Sequence, residues 1–167
     1  QRYWLIDPID GTQEFIARSG DFAVNIALIE NNEPVIGVIY WPAGESLYYA
    51  VKGKGAFKSC AVENKQINVL KRLDQARTYQ TLPAGSCSLK ACFIAEGKAD
   101  FFMRLGVTGE WDTGASQCIV SEAGGLIRSV DFEPMSYNQR ESLENPNFVV
   151  LGDQSVDWEA LVNYYID

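Results

Sequence analysis

Between Tyr3 and Phe15 the chain reads YWLIDPIDGTQEF. Two aspartates, Asp7 and Asp10, close a run of large apolar residues. Carboxylates beside a buried strand cost free energy unless something positive lies between them. Pro8 fixes its own φ and drives Asp7 into an extended conformation, so Asp7 ends a strand with its side chain at the C-terminal edge. Asp10-Gly11 makes a turn that returns the Asp10 carboxylate towards Asp7, with the Ile9 carbonyl facing the same space. Thr12 caps the short helix that follows, and the N–H groups of Gly11 and Thr12 lie at its positive end, where a phosphate is favoured. Two carboxylates, a carbonyl and a hydroxyl are hard oxygen donors, which select Mg²⁺ or Mn²⁺ over zinc. A lone D-P-x-D is more often a plain surface turn. The strand before it and the G-T-x-x-F after it make the pattern more specific.

The 167 residues include no histidine. Ser-His-Asp or Cys-His catalysis and His-ligated zinc within this chain are therefore excluded. Chemistry must come from carboxylates, hydroxyls, Lys or Arg, or from a metal on oxygen ligands. The net charge of −8 argues against a nucleic-acid polymer or an anionic membrane as the main partner. A small anionic substrate is compatible if metal ions or local cations offset the repulsion. Cys60, Cys87, Cys92 and Cys118 form no C-x-x-C pair and read as reduced, mostly buried thiols of a cytosolic protein. No apolar run approaches membrane-spanning length, and the opening QRYWLIDP is not a signal peptide. It reads as the middle of a protein.

The elements that must position these residues follow from periodicity and turn chemistry. Thr12 to Arg18 reads as a short helix ended by Gly20. Phe22–Ile29, Val35–Trp41 and Ser46–Val51 read as strands, with Asn31-Asn32 and Pro42-Ala43-Gly44 as turns, which predicts an antiparallel meander. Gly53 and Gly55 mark a further turn, Gln66–Leu70 one more strand, and Lys71–Ala84 a polar linker. The second half predicts helices over Ser86–Glu96, Asp112–Ala123 and Val156–Ile166. Strands are expected over Ala99–Arg104, Leu126–Val130 and Phe148–Leu151. Asp112 stands where a helix N-cap is expected, and Gly124-Gly125 where that helix ends. The expected architecture is a layered α/β protein with two lobes, residues 1–70 and 71–167.

W-x-I-D-P-x-D-G-T-x-x-F closely resembles the signature of the inositol monophosphatase superfamily of metal-dependent phosphatases. Glu110–Gly125, EWDTGASQCIVSEAGG, is similar to its W-D-x-A-A…E-A-G-G element. The remaining metal-binding aspartate of that family then falls on Asp112, although a capping role alone explains Asp112 equally well. KGKGAF from Lys52, GSCSLKACFIAEGKAD from Gly85 and PMSYNQRESLENPNF from Pro134 resemble one branch, the 3′(2′),5′-bisphosphate nucleotidases of bacterial sulfate assimilation. That resemblance implies a nucleotide pocket with Ser86, Ser88 and Lys90 as contacts and Arg140 at a phosphate or ribose. Lys90 as a solvated helix residue and Arg140 as a surface ion-pair partner are the plainer readings.

The resemblance implies hydrolysis of adenosine 3′,5′-bisphosphate to AMP and phosphate by two or three Mg²⁺ ions, inhibited by lithium. Asp7 would bridge two ions, Ile9 would give one its carbonyl, Asp10 and Asp112 would hold the other, and Thr12 would orient the attacking water. Substrate contacts would then include Ile9, Asp10, Gly11, Thr12 and Asp112 besides the pocket residues. An inositol monophosphatase or sugar phosphatase is the rival reading, and an inactive piece that binds only metal or nucleotide is the other. Relatives carry an N-terminal G-E-E-type element with a further ligand glutamate that is not in this sequence, and a longer segment where this chain runs from Val69 to Gly85. The resemblance also implies a cytoplasmic monomer or homodimer, with a peripheral place at the inner membrane as the alternative.

Overall fold

The computed structural model describes residues 1–61, 63–69 and 80–166. Most of the linker expected at Lys71–Ala84, and the lobe boundary expected at residue 70, lie outside the described residues. Among the described residues thirteen elements follow in order: β1 (Arg2–Asp10), α1 (Thr12–Ala17), β2 (Ala23–Glu30), β3 (Glu33–Trp41), β4 (Ser46–Val51), β5 (Ala56–Cys60), β6 (Glu63–Ile67), α2 (Cys87–Ala95), β7 (Phe101–Arg104), α3 (Glu110–Glu122), β8 (Leu126–Ser129), β9 (Phe148–Leu151) and α4 (Trp158–Ile166).

The first six strands form an antiparallel meander in chain order, which the short loops predicted for β2, β3 and β4. Two strand readings need correction. AFKSC is a strand, β5, although its five residues offer little alternation to read. The next strand is ENKQI rather than Gln66–Leu70, and only its Ile67 is buried. As the last strand of its sheet it tolerates a polar run that a central strand would not.

β7, β9 and β8 form a second antiparallel sheet with the fully buried FVVL of β9 in its centre. Helices α2 and α3 touch each other and strands of both sheets, so the molecule is layered sheet, helix pair, sheet. One apolar cluster runs through the layers, with Ile29 and Ile39 of the large sheet, Leu89 of α2, Ile119 of α3 and Phe148 of the small sheet.

α3 can lie close on the sheet because glycine stands on both surfaces. A Cβ at Gly37 would come within 2.4 Å of the Ala115 carbonyl oxygen, and one at Gly114 within 2.9 Å of Leu5. The inner face of the sheet, Tyr3, Leu5 and Asp7 on β1 opposite Ile29, Ala27 and Asn25 on β2, is therefore set against α3. Trp4, Ile6 and Tyr40 face the other way and are exposed. Among the described residues, no helix is long and apolar enough to cross a membrane.

Candidate active site

β1 does not stop at Asp7. It runs through Pro8 to Asp10, with a register shift between Asp7 and Asp10. Asp7 pairs with Asn25 and Asp10 with Ala23, so three steps on β1 match two on β2. In a regular strand, residues three apart face opposite sides of the sheet; one extra residue in a bulge restores a common side. Pro8 suits such a place because it has no N–H to give a ladder. The proline thus acts by bulging the strand, where sequence reasoning had it end the strand.

Gly11 is in the left-handed region at φ 86° and serves as the N-cap of α1. Thr12 is the first helical residue and not the cap expected. Its hydroxyl donates to the Ile9 carbonyl at 3.3 Å, while the Ile9 N–H donates to Asp7 Oδ1 at 3.0 Å. These contacts fold the Asp7–Thr12 stretch back on itself.

Asp112 comes from the other side of the site. α3 begins two residues earlier than predicted, with Gly109 as N-cap and Asp112 at the third helical position. The Gly109 N–H donates to Asp112 Oδ2 at 2.7 Å, a capping-box contact. A carboxylate has two oxygens, so the capping and cluster readings of Asp112 are compatible. One oxygen from each of Asp7, Asp10 and Asp112 lies within 4.8 Å of the others. None of the ion pairs among the described residues involves these three acids.

Their electrostatics follow. Burial pushes the Asp7 carboxyl up and repulsion from Asp10 adds to it, against the Ile9 N–H and the contact with Asp112. Asp112 is pushed up to about 6, mainly by burial and then by Asp10 and Asp7, against the Gly109 N–H. Crowded carboxylates without a cation hold protons they would otherwise lose. The donor chemistry fits a divalent cation of the Mg²⁺ class, since every candidate ligand is an oxygen and the Ile9 carbonyl stands between the two aspartates in sequence.

Asp10 is only 6% exposed and is fixed from behind by α2. Its Oδ2 accepts the Ser88 N–H at 2.9 Å and both the Ser86 and Ser88 hydroxyls. Ser86 also caps α2, accepting from the Leu89 N–H at 3.2 Å. Both serines are buried, with their hydroxyls on Asp10. Lys90 is half-buried with Nζ 5.0 Å from the centre of the Phe102 ring, and it has no ion pair with an acid among the described residues.

Arg140 makes an ion pair, but with a buried carboxylate instead of a surface one. Its Nη2 donates to Glu110 Oε1 at 3.0 Å, and the same carboxylate accepts the Asn138 N–H. Asn145 Nδ2 donates to the Gly109 carbonyl at 2.6 Å. The R-E-S-x-x-N-P stretch thus braces the start of α3, and with it Asp112. The K-G-K-G stretch is also a brace: the N–H groups of Gly53 and Gly55 each donate to Glu122 at 2.8 Å.

Sequence reasoning missed Arg104 and Glu110. Arg104 ends the apolar strand FFMR, and its guanidinium has no hydrogen bond or ion pair among the described residues, with Nε buried. Arg104 and Phe102 share one face of β7, and Lys90 stands over the Phe102 ring, so both cations border that face. The Cys87 thiol, one helical turn before Lys90, is pushed up by burial and by Asp10 and Asp112, and drawn down by Arg104 and Lys90. It is within electrostatic reach of both the acids and the cations. The available signal was a lone arginine closing an apolar run.

The sequence profile of the inositol monophosphatase family matches residues 1–69 and 59–156. The 3′(2′),5′-bisphosphate nucleotidase CysQ of Haemophilus influenzae is 40% identical over 192 aligned residues, covering 98% of this chain and 69% of that protein. The protein of the same name from Escherichia coli K12 is 42% identical over 169 residues, 90% of this chain and 68% of that one. The crystal structure of CysQ from Bacteroides thetaiotaomicron, described as a bacterial member of the inositol monophosphatase family, superposes with a TM-score of 0.80 at 34% identity, covering 92% of this chain and 70% of that one. The first alignment is longer than the 167 residues of this chain, so that relative carries residues without a counterpart here. With matching motifs, matching layers and a profile match over most of its length, the chain belongs to the inositol monophosphatase family.

Proposed function

We propose that this chain carries the catalytic acids of a Mg²⁺-dependent phosphomonoesterase that converts adenosine 3′,5′-bisphosphate to AMP and phosphate. The observation that carries the reading is the convergence of Asp7, Asp10 and Asp112 without a counter-ion among the described residues. The substrate class is supported by relatives named as 3′(2′),5′-bisphosphate nucleotidases.

Asp7, Asp10, Asp112 and the Ile9 carbonyl are the residues that would hold the metal. When bound, divalent metal supplies an activated water and offsets charge on the phosphoryl oxygens. The chain's own groups do the rest. Ser86 and Ser88 keep the Asp10 carboxylate in one rotamer. Thr12, exposed at the start of α1 and tethered to the Ile9 carbonyl, has hydroxyl lone pairs with which to orient a water. The Lys90–Arg104 pair supplies positive charge for the phosphate that is not cleaved. Such a pair has a use for a bisphosphate and much less for a monophosphate. The unpaired thiols and the small polar substrate suit the cytoplasm.

Phosphate release from adenosine 3′,5′-bisphosphate and from inositol 1-phosphate, with Mg²⁺ and with chelator, tests the reading. Chelator-sensitive release preferring the nucleotide is expected; preference for inositol 1-phosphate overturns the substrate, and release unaffected by chelator overturns the metal.

A further inference from the structure

Each acid of the cluster can be asked what holds it in place. Asp10 has the two serines and the Ser88 N–H, and Asp112 has the Gly109 N–H. Asp7 has the Ile9 N–H on Oδ1 and a contact with Asp112, but no outer donor on its second oxygen among the described residues. Directly across the β1–β2 ladder from Asp7 stands Asn25. It shares the inner face of β2 with Ala27 and Ile29 and is 1% exposed. Neither its Nδ2 nor its Oδ1 has a hydrogen-bond partner among the described residues.

A buried amide with both ends unsatisfied is unfavourable, and native structures contain few. An apolar β-branched residue would suit this strand position better. Its flanking inner-face neighbours, Ala23 and Ala27, offer no side-chain partner. Directly opposed residues on one face of an antiparallel pair have Cβ atoms about 4.5–5.5 Å apart, which puts an asparagine Nδ2 within reach of an aspartate carboxylate. Carboxylates that grip a cation are held in turn by outer hydrogen-bond donors.

We propose that Asn25 is a positioning residue for Asp7: when Asp7, Asp10 and Asp112 close round a divalent cation, Asn25 Nδ2 donates to the Asp7 carboxylate and fixes its angle. The inference rests on the metal reading above, though not on the identity of the substrate.

The test uses Mg²⁺ alone as the probe, with no substrate. Asn25→Leu removes the amide at nearly constant volume, and Asn25→Ser serves should the leucine variant fail to fold. Calorimetric titration of the metal-free proteins should show Mg²⁺ affinity about 10-fold weaker in either variant, the lower end of the range for outer donors of metal ligands. The melting temperature without metal should be equal to or above that of the wild type. A role in folding alone would move the melting temperature and leave Mg²⁺ affinity untouched, and that result overturns the proposal. In the wild-type chain, the Asn25 side-chain amide protons should shift in NMR spectra as Mg²⁺ is added; resonances that stay in place at saturation overturn it too. If the wild type binds Mg²⁺ but releases no phosphate from adenosine 3′,5′-bisphosphate, the nucleotidase reading fails and the role of Asn25 is still decided by these titrations. A wild-type chain that takes up no Mg²⁺ overturns both.

Discussion

Glu96 and the Asp7–Asp10–Asp112 cluster both bury carboxylates, and they solve the problem in opposite ways. Glu96, at the end of α2, is held by Lys58 at 2.9 Å and Lys98 at 2.8 Å, and the Tyr48 hydroxyl donates to it at 3.0 Å. Burial alone would raise its pKa, but the lysine contacts outweigh burial and bring it below the usual value. At the other end of the same helix, Asp10 joins Asp7 and Asp112 with hydrogen-bond donors but no ion pair among the described residues, and burial keeps Asp7 and Asp112 above theirs. A structural acid comes with its counter-charge built in. An acid cluster that lacks one is stable only with a proton or a ligand in its place, so the contrast separates scaffold from site within a single chain.

The sharpest way to break that contrast is to neutralise one acid in each place. Asp112→Asn and Asp7→Asn should each lower Mg²⁺-dependent phosphate release by more than about 100-fold, beyond what is usual for outer partners of a metal site. Without metal, each variant should melt at the wild-type temperature or slightly above, because repulsion has been relieved. Turnover within a few-fold of wild type would remove that acid from the site. Lys58→Met is the opposite case. It removes the more buried of the two lysines that hold Glu96, with Lys98 left in place, and should cost about 1–2 kcal/mol in chemical denaturation, while Mg²⁺ affinity stays the same. A loss of affinity there would mean that the two clusters are coupled through α2.

Much of this was legible in the sequence, and the reasons are specific. The meander showed because its strands are apolar and its turns carry Asn-Asn and Pro-Ala-Gly. The acids showed because proline and glycine flank them. The bulge did not: periodicity cannot say whether Pro8 ends a strand or adds a residue to it, because that is settled by pairing with Asn25 and Ala23. The roles of Ser86 and Ser88 were likewise hidden. Their place in a motif pointed to a pocket, but α2 turns them inward onto Asp10, a contact 76 to 78 residues away in sequence. The pairing of Arg140 with Glu110 escaped for the same reason, since an ion pair between a loop and a helix has no local signature.

A milder change sharpens the contrast from the cation side. Arg104→Met leaves the acids untouched and removes one of two cations near them. It should weaken KM for adenosine 3′,5′-bisphosphate by about 10-fold, the scale of one charge-assisted contact, with kcat for inositol 1-phosphate unchanged. Equal losses on both substrates would place Arg104 in support of the fold.

The smallest effect tests the contrast by pH. Glu96 contributes stability that is present above its unfolded pKa of about 4.3 and lost as pH falls through its lower folded value. Asp112 has the opposite sign. Its folded pKa of about 6 lies above the unfolded value of about 3.9, so the folded, metal-free chain binds the proton more tightly and loses stability as pH rises from about 4 to about 6. Solvent screening at a part-exposed carboxyl limits this to roughly 1 kcal/mol, or about 2–4 °C in melting temperature for a domain of this size. The measurement is the gap between Asp112→Asn and wild type in thermal melts without metal. At pH 6.5 the variant should melt higher, and at pH 4.5 the gap should close, because the wild-type carboxyl is then protonated. Saturating Mg²⁺ should reverse the order at pH 6.5 by stabilising only the wild type. A gap that widens on acidification would mean that Asp112 already has a positive partner, and the distinction between paired and unpaired acids would fail at its central residue.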